Sequence, residues 1–135
     1  MARLRVLAVS ARLPAWAETA CEQYARRMPK GYEVERIAMK NEDRLAAAIA
    51  RGSRLVVLDE RGADRSTAQF SKLLALPTAF VIGGADGLSQ ETKSKADTLL
   101  RLSAMTLPHA IAQVVLLEQI YRAATLLTGH PYHRE

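Results

Sequence analysis

The chain has 135 residues, 49% of them hydrophobic and 24% charged, which fits one globular domain with a real core and excludes a disordered or fibrous chain. Its formal net charge of +5 favours a polyanionic partner, because neutralising phosphates releases condensed counterions. The single cysteine, Cys21, excludes an internal disulfide framework and fits a reducing compartment.

Leu4, Val6 and Ala8 alternate with Arg3, Arg5 and Leu7, predicting a first strand with no secretory leader ahead of it. Trp16, Ala20 and Tyr24, with Ala17, Cys21, Ala25 and Met28, recur at helical spacing and predict a helix from about Ala15 to Met28, stopped by Pro29 and Gly31. A strand over Tyr32 to Met39 and an Ala- and Leu-rich helix over Asn41 to Arg51, closed by Gly52, come next. The continuous run Leu55-Val56-Val57-Leu58 predicts a strand from Arg54 to Asp59 buried on both faces, as in a parallel sheet. Ser66 and Gln69 form a capping box for a helix through Leu74. The apolar strand Thr78 to Ile82 runs into Gly83-Gly84-Ala85-Asp86-Gly87, and Ser89 caps a short polar helix to about Asp97. Leu99 to Leu102 is the last strand, and a long helix from Pro108 or His109 to about Leu127 is ended by Gly129 and Pro131.

This alternation predicts an α/β fold, a mostly parallel sheet flanked by helices, in one domain over residues 1–135. The longest uncharged run, Leu102 to Leu117, falls short of the roughly 20 residues a bilayer span needs, so a cytoplasmic protein with no membrane partner is expected.

Ligands of open α/β sheets bind at the carboxyl ends of the strands, where three loops qualify: Leu58 to Gly62, Gly83 to Gly87, and Ser103 to Pro108. The GGxxG spacing is neither a dinucleotide fingerprint nor a phosphate loop, and it reads equally as a tight turn or a ligand contact. Ser103 to Pro108 is apolar for a turn, so it is either packed away or walls an apolar pocket that suits an adenine ring and a thioether. His109, beside it, is a cap, a packing residue or a ligand contact.

The long helix is apolar on most sides, through Ile111, Val114, Val115, Leu116, Leu117, Ile120, Ala124 and Leu127, so it is either central in the fold or buried by a partner, and in so small a chain a subunit interface is favoured. Glu118 and Arg122 stand i,i+4 and can pair. In the tail, Tyr132 could stack on a base, Arg134 hold a phosphate or carbonyl, and His133 move a proton, although chain ends are often frayed. His130 and His133 make a poor zinc pair, and no metal is expected. Arg3, Arg5, Arg12, Arg26, Arg27 and Lys30 are either an RNA-facing patch or ordinary solvated charges.

Five strings together carry a resemblance: Leu58-Asp59-Glu60-Arg61-Gly62; Phe80 to Leu88; Leu102-Ser103-Ala104-Met105-Thr106-Leu107-Pro108-His109; Leu117 to Ala123; and His130-Pro131-Tyr132-His133-Arg134. In this order, and with Pro14, Trp16 and Tyr24 to Arg27, the chain resembles the pseudouridine N3-methyltransferases of the ribosomal large subunit, the RlmH type, within the SPOUT superfamily. The resemblance covers nearly the whole chain. It implies a SPOUT-type fold with a C-terminal trefoil knot, a homodimer, and S-adenosylmethionine held in the knot by Leu58, Gly84, Ser103, Ala104, Met105, Thr106, Leu107 and Pro108. It implies as substrate a pseudouridine of large-subunit (23S) ribosomal RNA in an assembled 70S ribosome. The candidate catalytic residues are then His133 for the proton, Tyr132 and Arg134 to orient the base, and His109 as a second base, with the tail acting across the dimer. The connection around Ala38 to Asp43 is shorter than usual for that family. The alternatives are a SPOUT methyltransferase acting on another RNA and a non-catalytic module that docks on RNA or ribosomes; a flavodoxin-like nucleotide binder lacks its phosphate-loop sequence.

Overall fold

A computed structural model describes residues 3–9 and 12–132. Five strands, β1 (Leu4–Val9), β2 (Val34–Met39), β3 (Arg54–Asp64), β4 (Thr78–Gly83) and β5 (Thr98–Arg101), form one sheet in the order β2-β1-β4-β3-β5. Every neighbouring pair is parallel, with Leu4 opposite both Val34 and Thr78, and Arg54 opposite Thr78. The helices are α1 (Ala15–Arg26), α2 (Leu45–Ala48), α3 (Thr67–Ser71), α4 (Gln90–Ser94) and α5 (His109–Thr128).

Both faces of the sheet are covered, and that explains the continuous apolar runs of β3 and β4. On one face Leu4, Val6, Ala8, Val56, Phe80 and Ile82 meet Cys21 of α1, Phe70 of α3, and Leu116, Leu117 and Ile120 of α5. On the other, Leu7, Val9, Val57 and Val81 meet Leu45 at the start of α2 and Leu88 just before α4. Leu7, placed on the polar side of the first strand by its alternation, is therefore fully buried.

Most elements fall where the residue pattern puts them, with ends that differ by a few residues. The capping box at α3 is complete: Gln69 N donates to Ser66 Oγ at 3.1 Å and Ser66 N to Gln69 Oε1 at 2.8 Å. The helix continues only as a tighter turn over Lys72–Ala75. The helix expected over Asn41 to Arg51 shrinks to a 3₁₀ turn at Glu42–Arg44 and the four residues of α2. Alanine propensity alone does not hold an isolated short helix, and Leu45 is the one buried anchor of that segment. β3 runs five residues beyond the expected end at Asp59. After a bulge between Leu58 and Ala63 it pairs again with β5, and Arg101 clasps Asp64 with two bonds of 2.7 and 2.5 Å.

α5 has 20 residues and is long and apolar enough to cross a membrane by length and composition, yet half of it is buried inside this fold. Its buried side lies against the sheet, α1 and α3, and its polar pair is closed, with Arg122 Nε donating to Glu118 Oε2 at 2.9 Å. Gly129 ends it in the left-handed conformation, φ +76°, where a side chain would be strained.

Candidate active site

At the carboxyl ends of β4 and β5, beside the bulge of β3, lies a cavity of about 590 Å³, a size typical of small-molecule sites. Its walls are Leu58 to Glu60 from β3, Ile82 to Leu88 from the β4 exit, Leu100 to Thr106 (Ala104 excepted) from β5 and its exit, and Leu107 to His109 and Ala112 at the start of α5. The three segments singled out as loops after strands therefore line one space, although the first, Leu58 to Gly62, lies within β3 as a bulge because the strand resumes pairing with β5.

Local geometry makes this convergence possible at two glycines. A Cβ on Gly62 would lie 2.7 Å from the backbone of Leu99 and Leu100, so the far half of β3 crosses β5 where only glycine fits. A Cβ on Gly83 would meet the backbone of Gly87 at 2.9 Å, so the glycine loop folds back closely on its own stem. Gly87, at φ +73°, donates its N–H to Gly84 O at 3.0 Å and closes the turn. In the next loop Ser103 Oγ accepts from Met105 N at 2.9 Å, which turns the chain towards Pro108 and α5.

The lining is apolar at Leu58, Ile82, Leu102 and Leu107 and acidic at Asp59 and Glu60 of β3 and Asp86 of the β4 exit. Asp59 is largely buried and stands 3.7 Å from Lys93 of α4, which also lines the cavity. Arg101 at the rim belongs to the clasp with Asp64; that contact raises the arginine pKa and lowers the aspartate's.

Of the eight residues expected to hold a cofactor, Leu58, Gly84, Ser103, Met105, Thr106, Leu107 and Pro108 line this cavity, while Ala104 is exposed outside its lining. His109 lines it too. Lys93 was missed by sequence reasoning, since a lysine on a short polar helix carries no signal until the fold brings it to Asp59.

A family model described as predicted SPOUT methyltransferase matches residues 2–133. The chain belongs to the SPOUT methyltransferase family. It is 46% identical to the ribosomal RNA large subunit methyltransferase H of Methylibium petroleiphilum, covering 98% of this chain and 99% of the relative. It is 44% identical to the protein of the same name from Polynucleobacter asymbioticus, with the same coverage. The first alignment runs over 155 positions against the 135 residues here, so the relative carries insertions where this chain is shorter. Solved structures share this fold. A probable methylase family protein from Haemophilus influenzae superposes with a TM-score of 0.66 at 11% identity, over 99% of this chain and 71% of that one. The SpoU methyltransferase AviRb from Streptomyces viridochromogenes, solved in complex with the cofactor AdoMet, superposes with a TM-score of 0.60 at 17% identity, over 96% of this chain and 58% of that one.

The SPOUT chain's own tail does not enter its own cavity as far as it is described. Tyr132 folds back on α5, its hydroxyl donating to Glu118 Oε2 at 2.9 Å, its ring 4.6 Å from that of Tyr121 and 5.0 Å from the Arg122 guanidinium. Desolvation and the neighbouring Glu118 carboxylate raise the Tyr132 pKa, so the phenol stays protonated. His133 and Arg134 lie outside the described residues. Among the basic residues, Arg5 is a brace and no free charge: it donates to Ala48 O at 2.7 Å and pairs with Glu35 at 3.2 Å. Arg3 reaches Ala75 O, whereas Arg12, Arg26, Arg27 and Lys30 are exposed. No cluster of three or more His, Cys, Asp or Glu able to hold a metal occurs among the described residues.

Proposed function

We propose that this chain transfers a methyl group from S-adenosylmethionine to N3 of a pseudouridine in large-subunit ribosomal RNA, on the assembled 70S ribosome in the cytoplasm. The observation that carries this reading is the convergence of Leu58 to Glu60, Gly83 to Leu88 and Leu102 to Pro108 on one cavity, in a chain whose full-length relatives are named as ribosomal RNA methyltransferases. The residues fit the cofactor. The apolar lining suits an adenine ring, the open space beside Gly87 admits close approach, and the Glu60 and Asp86 carboxylates complement a cation. Leu58, Gly84 and Ser103 to Pro108 are the proposed contacts, and a trefoil knot at this place is part of the reading.

Bound S-adenosylmethionine supplies a methyl carbon that is already electrophilic because it sits on a sulfonium. The chain must add alignment and proton removal, since the imide nitrogen of the acceptor carries a proton at neutral pH. S-adenosylmethionine, when bound, would supply the methyl group and leave as a neutral thioether, and a base on this chain would have to take the imide proton. His133 is the first candidate for that base, Tyr132 and Arg134 orient the nucleobase, and His109, at the cavity edge, is the second candidate. Tyr132 packs on Glu118 and Tyr121 of α5 and does not line its own cavity, which supports a homodimer in which each tail serves the partner's site. Apolar side chains at the surface of α1 and α5, Trp16, Ile111 and Leu127, suit such an interface.

The test supplies methyl-labelled S-adenosylmethionine with free ribosomal RNA, isolated subunits or whole ribosomes from a strain lacking the modification. Label at a large-subunit pseudouridine, with whole ribosomes preferred, is expected. Cofactor binding without label in any of these would move the substrate to another RNA, and no cofactor binding would leave a docking module.

A further inference from the structure

We propose that Glu42 is a positioning residue for the cofactor cavity: from the turn after β2 it locks the exit of the Gly83–Leu88 loop and so sets how tightly that loop holds S-adenosylmethionine. The inference rests on the cofactor reading above. Glu42 does not line the cavity, and it acts through the start of α4.

Three donors from α4 and its cap converge on this one carboxylate. Ser89 N donates to Glu42 Oε2 at 3.0 Å, Ser89 Oγ donates to Oε1 at 2.7 Å, and Thr92 Oγ1 also donates to Oε1. Ser89 Oγ accepts from Thr92 N at 3.2 Å as the helix cap, which directs its own proton to Glu42. The Ser89 amide precedes the first helical bond, so no partner within α4 serves it.

The position of these bonds gives them consequence. The glycine loop leaves the sheet at Gly83, turns through the Gly87-to-Gly84 bond, drops the buried Leu88 into the core, and reaches Ser89. Ser89 is thus its far anchor, tied across 47 residues to a segment in another part of the sheet. One turn on, Lys93 reaches Asp59 in the bulge of β3, so α4 is held between the β2 exit and the cavity wall. A loop whose ends are fixed loses less freedom when it closes on a ligand.

Glu42→Gln keeps the shape but turns one acceptor into a donor facing either the Ser89 amide or the two hydroxyls. In the ligand-free protein, amide hydrogen exchange over residues 84–89 should speed up about tenfold. The dissociation constant for S-adenosylmethionine should rise about tenfold, with kcat at saturating cofactor within about twofold of wild type. Ser89→Ala should reproduce the effect, and the double variant should add little beyond either change. Ser66→Ala, which removes the remote cap of α3, serves as the matched loss of stability and should leave cofactor affinity unchanged. Wild-type exchange over 84–89 in Glu42→Gln, or an affinity loss no larger than that of Ser66→Ala, overturns the proposal. A wild-type protein that binds no S-adenosylmethionine overturns the cofactor reading instead, and the exchange data then still decide whether Glu42 locks the loop.

Discussion

Replacing Gly62 with alanine puts a methyl group 2.7 Å from three backbone atoms of Leu99 and Leu100. Carbon atoms in contact prefer about 3.5–4.0 Å, so the two strands must part by about 1 Å. Overpacking costs about 1–3 kcal/mol where side chains can give way; here the crowded atoms are backbone atoms of a paired strand, which puts the cost at about 3 kcal/mol. For a domain of this size, unfolding entropy near 2 cal/mol/K per residue turns that into a drop in melting temperature of about 10 °C. Circular dichroism of the ligand-free protein reads the melting temperature. Because Leu100 and Leu102 line the cavity, calorimetric titration with S-adenosylmethionine should show weakened binding in the same variant. A melting temperature within about 2 °C of wild type, together with unchanged affinity, would refute the close crossing of β3 over β5 and the dependence of the cavity on it.

Ending the chain at Pro131 removes Tyr132 and the residues after it; cofactor affinity should stay within about twofold while methylation falls by more than about a hundredfold, and unchanged turnover in the labelling assay would dismiss the tail as a source of the base. Changing Arg26 and Arg27 to Glu, both exposed, should weaken ribosome binding and lower the salt slope by about two if both contact phosphate; an unaltered slope makes them ordinary surface charges. The Thr92 and Ser89 hydroxyls hold the Glu42 carboxyl below the usual glutamate value of 4.5. Its contribution to stability is therefore complete above that pH and is lost as pH falls through the lower folded value; Glu42→Gln should flatten this acid limb in a thermal-melt series, and a wild-type limb would show that other carboxylates set it.

Periodicity alone was enough for the parallel α/β architecture, because strands covered on both faces need unbroken apolar runs and helices covered on one face need a stripe. The capping box at Ser66 and the stop at Gly129 were equally legible, since each is a local hydrogen-bonding or φ requirement. The family was legible through five strings in order, and seven of the eight expected cofactor contacts line one cavity. Ala104 does not, because in the turn closed by Ser103 and Met105 it faces outward.

What only the tertiary structure decided are interactions between segments far apart in the chain. The extension of β3 to Asp64 depends on pairing with β5, the collapse of the expected helix after Asn41 on having one buried anchor, and the brace role of Arg5 on Ala48 and Glu35. Glu42 at Ser89, Lys93 at Asp59 and Tyr132 at Glu118 follow the same rule. A sequence determines local preference and the pattern of burial, because those depend on neighbours along the chain; which charge meets which donor across the fold depends on how the strands are ordered, and no spacing in the chain encodes that.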